Sequence, residues 1–143
     1  MSITPFSGSD FYNATELSSS VTFPTAPKSL TFGNSTTTQT VTNSAARTVA
    51  GDVKIYGGAI SNTGSLTTTG SGSILLNSKG SIDLSGSLTT AGGYAYLYAD
   101  SDNGGAGASG GRIYVSQPIS TSGGAIKLTG GTGGNGFASG LNA

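Results

Sequence analysis

Apolar positions in this chain fall in short alternating runs, separated by turns rich in glycine, serine and threonine. Val53-Lys54-Ile55, Ile82-Asp83-Leu84, Ile113-Tyr114-Val115 and Ile126-Lys127-Leu128 all alternate with a period of two, the mark of a strand with one buried face. Lys54 and Lys127 must reach water, which turns Val53/Ile55 and Ile126/Leu128 inward. The same rule turns Asp83, Arg112 and Tyr114 outward. Helix is disfavoured almost throughout, because Gly, Ser, Thr and β-branched residues are poor helix formers.

The runs repeat. Ser65-Leu66-Thr67-Thr68-Thr69-Gly70 aligns with Ser87-Leu88-Thr89-Thr90-Ala91-Gly92 and with Pro118-Ile119-Ser120-Thr121-Ser122-Gly123. Upstream, Ile82, Leu84 and Leu88 match Ile113, Val115 and Ile119; Ile60 and Leu66 match the outer pair, with Asn62 standing where Leu84 would be. Each tail leads into a further strand, at Ile74-Leu75-Leu76, Tyr94 to Tyr98 and Ile126-Lys127-Leu128, and Val53 to Tyr56 is the same strand one copy earlier. The first interval is 22 residues and the second 31, the excess lying in the glycine-rich stretch 102–110, an inserted loop of the kind surface turns tolerate.

A repeat of about 22 residues buries only a few aliphatic side chains and cannot stand alone. Stacked copies pair each strand with its equivalents about 4.8 Å above and below and enclose a continuous core. The expected fold is therefore all-β, a parallel β-helix (β-solenoid) with coils of about 22 residues and one inserted loop. Alignment places Ile74/Leu76 and Ala95/Leu97 inside. An antiparallel sandwich is the competing all-β solution, but it does not require equivalent residues to recur at a fixed interval. Residues 1–29 repeat poorly and read as an irregular N-terminal cap or linker, and 30–143 as solenoid repeats. The chain stops partway into another coil, as a fragment of a longer solenoid would.

Gly, Ser and Thr fill nearly half of the positions, a mixture also found in disordered linkers. Here the charged fraction is 8%, the net charge is zero and the apolar fraction is 34%, arranged in period, which favours thin β-layers. Six scattered Lys/Arg residues make no nucleic-acid footprint. No run approaches the roughly 20 apolar residues of a membrane helix. The N-terminus lacks the basic and apolar regions of a signal peptide, so if a parent protein is exported its signal lies outside this chain.

The run Gly92 to Asn103, followed by Gly111-Arg112-Ile113-Tyr114-Val115 and Ile119 to Leu128, resembles the repeats of large filamentous-haemagglutinin-like exoproteins. Val53 to Ile60 and Gly64 to Thr68 look like the same type, and the resemblance covers residues 30–143. It implies a right-handed extracellular β-helix at the bacterial cell surface, exported with an outer-membrane secretion partner and used in adhesion or biofilm formation. The Asn-Pro-Asn motif of the family's secretion domain is absent, which makes this stalk and not secretion signal.

Three stretches carry candidate chemistry. Tyr94, Tyr96 and Tyr98 face outward if Ala95 and Leu97 are inside, with Tyr96 in register between Leu75 and Lys127 and Tyr98 beside Asn77; such a stripe can stack on sugar rings or pack on a protein. Its bland alternative is cross-strand packing. Asp100, Asp102 and Asn103 offer hard oxygen ligands suited to a calcium ion, but two carboxylates are few for tight binding, and the bland alternative is a hydrogen-bonded turn that ends the strand. Thr67/Thr89/Ser120 and Thr68/Thr90/Thr121 form hydroxyl columns, shorter and less regular than ice-binding arrays and ordinary for exposed strands. Literal GxGxxG matches at 105–110 and 131–136 lack the following helix that a dinucleotide site needs. A calcium nonapeptide match at 130–137 lacks its ligand Asp and reads as a turn.

The chain has no His and no Cys, so triads built on either residue are impossible within it. Of the six acids only Asp100 and Asp102 are close, with no base beside them. Composition thus points to a non-catalytic chain, and together with the resemblance it implies a stalk segment of a secreted adhesin without cofactor. A carbohydrate- or protein-binding module using the tyrosines, and a fibre subunit stacking end to end in place of a monomer, are the alternatives. A surface glycan or protein of a host or neighbouring cell would be the partner, and nucleic acid would not.

Overall fold

The computed structural model describes residues 1–5, 10–11, 13–22, 27–101 and 111–131. Among these residues there is no helix, and fifteen short strands run in successive coils. The chain enters with β1 (Ser2–Ile3) and β2 (Thr15–Leu17). Three-strand coils follow: β3 (Leu30–Phe32), β4 (Val41–Asn43) and β5 (Arg47–Val49); β6 (Val53–Gly57), β7 (Ile60–Asn62) and β8 (Leu66–Thr68); β9 (Ile74–Ser78), β10 (Ile82–Leu84) and β11 (Leu88–Thr89); β12 (Ala95–Tyr98), β13 (Ile113–Val115) and β14 (Ile119–Ser120). β15 (Ile126–Thr129) opens another.

Each strand pairs in parallel with its equivalent one coil away, which sorts the fifteen into three sheets. The first sheet runs β1-β3-β6-β9-β12-β15, the second β13-β10-β7-β4-β2, the third β14-β11-β8-β5. The registers are those the repeats predict: Val53 on Ile74 on Ala95 on Ile126, Ile60 on Ile82 on Ile113, and Leu66 on Leu88 on Ile119. The result is a β-solenoid of about four turns with coils of about 22 residues. The lengthening of the last full coil falls between Tyr98 and Ile113, since the registers before and after it are unchanged. Within residues 1–29, β1 pairs with β3 and β2 with β4, so these two strands also join the ladders.

Alternation supplies the core. Leu30, Val53, Ile74 and Ala95 form one fully buried column of the first sheet, and Phe32, Ile55, Leu76 and Leu97 the next. Ile126 and Leu128 continue both columns half-buried. Ile60, Ile82 and Ile113 fill the second sheet's side and Leu66, Leu88 and Ile119 the third's. A single coil such as residues 74–88 buries five aliphatic side chains. That is too few to offset the entropy of ordering a coil, so the fold depends on stacking.

Where the third sheet turns into the first, coils approach so closely that only glycine fits. A Cβ on Gly93 would lie 2.0 Å from the Gly72 carbonyl oxygen, and one on Gly124 would lie 2.0 Å from that of Gly93. The same corner changes the reading of one hydroxyl column. Thr67, Thr89 and Ser120 face out, with Thr48 below them, but Thr68, Thr90 and Thr121 are buried. Each of the buried three donates its hydroxyl to a corner glycine carbonyl: Thr68 to Gly72 and Thr121 to Gly124, both at 2.5 Å, and Thr90 to Gly93. A threonine here closes the turn from within, satisfying a carbonyl that has no ladder partner.

Two polar residues enter the core without any counterpart in later coils. Asn43 and Asn62 stack at the position that Leu84 and Val115 hold farther on, and both are buried. Arg47 is in register with Leu66 but lies on the edge strand of the third sheet. Its guanidinium reaches back to the carbonyls of Leu17, Ser18 and Val21, closing that end of the core. Burial pulls its pKa below the usual value for arginine.

Candidate functional site

The outer face of the first sheet carries the tyrosines. Tyr96 stands between Leu75 and Lys127, with Lys54 one coil beyond Leu75; Tyr98 stands between Asn77 and Thr129, with Tyr56 beyond Asn77. All three predicted tyrosines point outward, but their exposure differs. Tyr94 is 40% exposed, whereas Tyr96 and Tyr98 are half-buried by one another and by their neighbours. The Tyr94 and Tyr96 rings stack at 4.2 Å and 26°, and Tyr96 meets Tyr98 edge to face at 6.1 Å and 86°. The Lys127 ammonium lies 5.4 Å from the centre of the Tyr98 ring. These three contacts have favourable geometry and hold the rings in fixed orientations.

At the end of the stripe lies an open cleft of about 350 Å³, lined by Asn77, Tyr98, Ala99, Asp100, Ser101, Thr129 and Gly130. Asp100 ends the strand in the left-handed region, with φ of 56°. Its backbone N–H bonds Gly80 O at 3.0 Å, and that of Ser101 bonds Ser78 O at 2.9 Å. The side chain packs against Gly131, where a Cβ would fall 2.1 Å from Oδ2. Of the residues proposed to bind calcium, Asp100 lies in this cleft; Asp102 and Asn103 lie outside the described residues. Among the described residues no three His, Cys, Asp or Glu side chains come together as a metal-binding group.

Asn77 and Thr129 escaped the sequence reading as site residues, although the alignment that put Tyr98 beside Asn77 carried the signal. Ser101 and Gly130 had none, because they join the cleft through the folding of the turn. The glycine-rich stretches 105–110 and 132–137 lie outside the described residues. The residues after the first of them form the strand β13.

The carboxylates near the start of the chain accept hydrogen bonds from neighbouring coils. Asp10 takes the backbone N–H of Thr38 at 2.6 Å, the Thr38 hydroxyl, and its neighbour Phe11 N–H at 2.8 Å. Glu16 takes the Ser44 hydroxyl, and Asp52 takes the Ser73 N–H at 2.9 Å. Asp83, farther on, is bound within its own turn by the Ser85 hydroxyl at 2.6 Å. Burial raises the Asp10 pKa, but the Thr38 and Phe11 hydrogen bonds and the charge of Lys79 outweigh it and hold the carboxyl below 3.8. These acids are engaged in tying coils and turns together.

The chain thus defines itself as a β-solenoid with one aromatic outer face and a polar cleft at the end of that face. Searches against protein-family models, curated proteins and solved structures each returned no match.

Proposed function

We propose that this chain is a stalk segment of a secreted bacterial adhesin, a non-catalytic rod that extends a binding region from the cell surface for attachment or biofilm formation. The observation that carries the reading is the unbroken in-register ladder. Six strands of one sheet, five of the second and four of the third follow one another in parallel, so force along the axis is borne by many backbone hydrogen bonds at once. The likeness of residues 30–143 to haemagglutinin-type repeats supports the extracellular setting. An outer-membrane partner would export the parent protein. Antibodies against this chain should label intact cells of the source bacterium, and deleting the parent gene should lower attachment or biofilm. Labelling seen only after permeabilisation would overturn the proposal.

A second reading follows from the stacked tyrosines: a module that binds a surface glycan through Tyr94, Tyr96 and Tyr98. The three rings are held against one another in fixed orientations on a rigid sheet, which leaves an aromatic surface with little entropy left to lose on binding. Glycan-array binding lost on Tyr96→Ala supports it, and binding unaffected by that change sinks it.

A further inference from the structure

The cleft beside Tyr98 has three kinds of wall. Tyr98 provides an aromatic one, fixed by the edge contact with Tyr96. Asn77, Asp100, Ser101 and Thr129 provide amide, carboxylate and hydroxyl groups. Ala99 and Gly130 add small surfaces that leave room. The volume of about 350 Å³ lies at the lower end of the roughly 300–1,000 Å³ of ligand pockets, the size of a small unit and not of an extended chain.

The polar walls select the occupant. A hydrocarbon would leave the carboxylate, amide and hydroxyls without partners as it drove water out. A phosphate or carboxylate would meet the Asp100 charge; Lys127, the nearby cation, lies over the Tyr98 ring and does not line the cleft. A pyranose meets both demands, with an apolar C–H face for the ring and adjacent hydroxyls for the carboxylate and amide. Asp100 is preorganised for that task. Its backbone is held by Gly80, and its carboxylate lies against Gly131.

We propose that this cleft is a subsite for one neutral pyranose unit of a glycan, stacked on Tyr98 and hydrogen-bonded by Asp100 and Asn77. The proposal rests on the glycan-binding reading of the tyrosine face and assigns one subsite at the end of it.

The test is an NMR titration of the chain with methyl α-D-mannopyranoside, methyl β-D-galactopyranoside and methyl β-D-glucopyranoside, read by saturation transfer and by shifts of the tyrosine ring signals. At least one sugar should bind saturably. Asp100→Asn should weaken it by about tenfold, the loss of one charge-assisted hydrogen bond. Tyr98→Ala should abolish it, and Tyr114→Ala, on the second sheet, should leave it unchanged. Asn also tolerates the left-handed backbone, so Asp100→Asn keeps the turn even if Tyr98→Ala unfolds. Absence of saturable binding for all three sugars overturns the proposal. Binding that survives both Tyr98→Ala and Asp100→Asn but is lost on Tyr96→Ala also overturns the subsite, while leaving the wider tyrosine face as the glycan-binding surface.

Discussion

Inside the core, the Asn43 side-chain amide donates to Asn62 Oδ1 at 2.9 Å, one coil on. The Asn62 amide in turn donates to Gly64 O at 2.8 Å, which also receives Asn43 at 3.3 Å. These two asparagines occupy a column that is Leu84 and Val115 in the next coils, so the polar pair fixes which coil lies on which. Each asparagine already has a leucine on its other side, Leu17 for Asn43 and Leu84 for Asn62, so a shift that parted the pair would leave both without a side-chain partner in the interior.

Asn62→Leu, which leaves Asn43 and the Gly64 carbonyl without that partner, should therefore cost about 1–3 kcal/mol. The double change Asn43→Leu/Asn62→Leu removes the unpaired Asn43 amide but leaves Gly64 O without either donor, so it should recover only part of the loss. Urea melts of the two single variants and the double variant give the coupling, and additive losses would show that the pair is not coupled.

The buried and exposed threonines of one strand region should respond unequally to the same chemistry. Thr90→Val keeps the shape but leaves Gly93 O, and the weaker contact to Thr121 O at 3.3 Å, without the hydroxyl. A loss of about 1–2 kcal/mol is expected. Thr89→Val, on the outer face, should stay within about 0.5 kcal/mol. Thermal melts of the two variants decide, and equal effects would contradict the inward role of Thr90.

Two adjacent glycines separate conformation from space. Gly92 has φ of 96° with nothing within 4 Å of a Cβ, so Gly92→Ala should cost about 1–2 kcal/mol in backbone strain alone. Gly93→Ala would drive a methyl group into the Gly72 backbone and should cost distinctly more, separating two coils. Chemical denaturation should show the larger loss at 93. A larger loss at 92 would reverse the assignment.

Asp10 should make the N-terminal coil acid-sensitive. Its folded pKa is lowered, so it binds its proton less readily folded than unfolded. The stability it contributes is present above its unfolded pKa and is lost as pH falls below 3.8 through the folded value. The fall in melting temperature between pH 6 and pH 3 should be smaller in Asp10→Asn than in the unaltered chain. An identical fall in both would remove Asp10 from the account.

Replacing Arg47 with Met removes its hydrogen bonds to the carbonyls of Leu17, Ser18 and Val21, of which Leu17 O and Ser18 O keep backbone donors, and should loosen β2 before anything else. Hydrogen exchange should then speed up at residues 15–17 more than at the core strand Ile74–Leu76. Uniform acceleration would mean that Arg47 holds the whole solenoid and not its end.

The later coils were legible in the sequence because their period is regular. Ile82 recurs as Ile113 and Leu88 as Ile119, and alternation around Lys54 and Lys127 assigned the faces without reference to contacts. The early coils were not legible, since Val41 and Ile60 are only 19 residues apart while Ser2 and Thr31 are 29 apart. A repeat search tuned to 22 passes over both. The Tyr98–Asn77 pairing of the candidate site could be read from alignment, but the cleft could not, because Asp100, Ser101 and Gly130 meet only when the turn after β12 folds back on the next coil.

By itself, then, the sequence determined the strand period, the inward residues of the regular coils and the stacking register, because each follows from local alternation and the spacing of equivalent side chains. Only the tertiary structure decided which threonines turn inward, that Asn43 meets Asn62, that Arg47 closes the core, and that a cleft forms beside Tyr98. Those outcomes depend on how closely backbones approach at corners and on which polar groups lose water there. Both are distances between residues far apart along the chain.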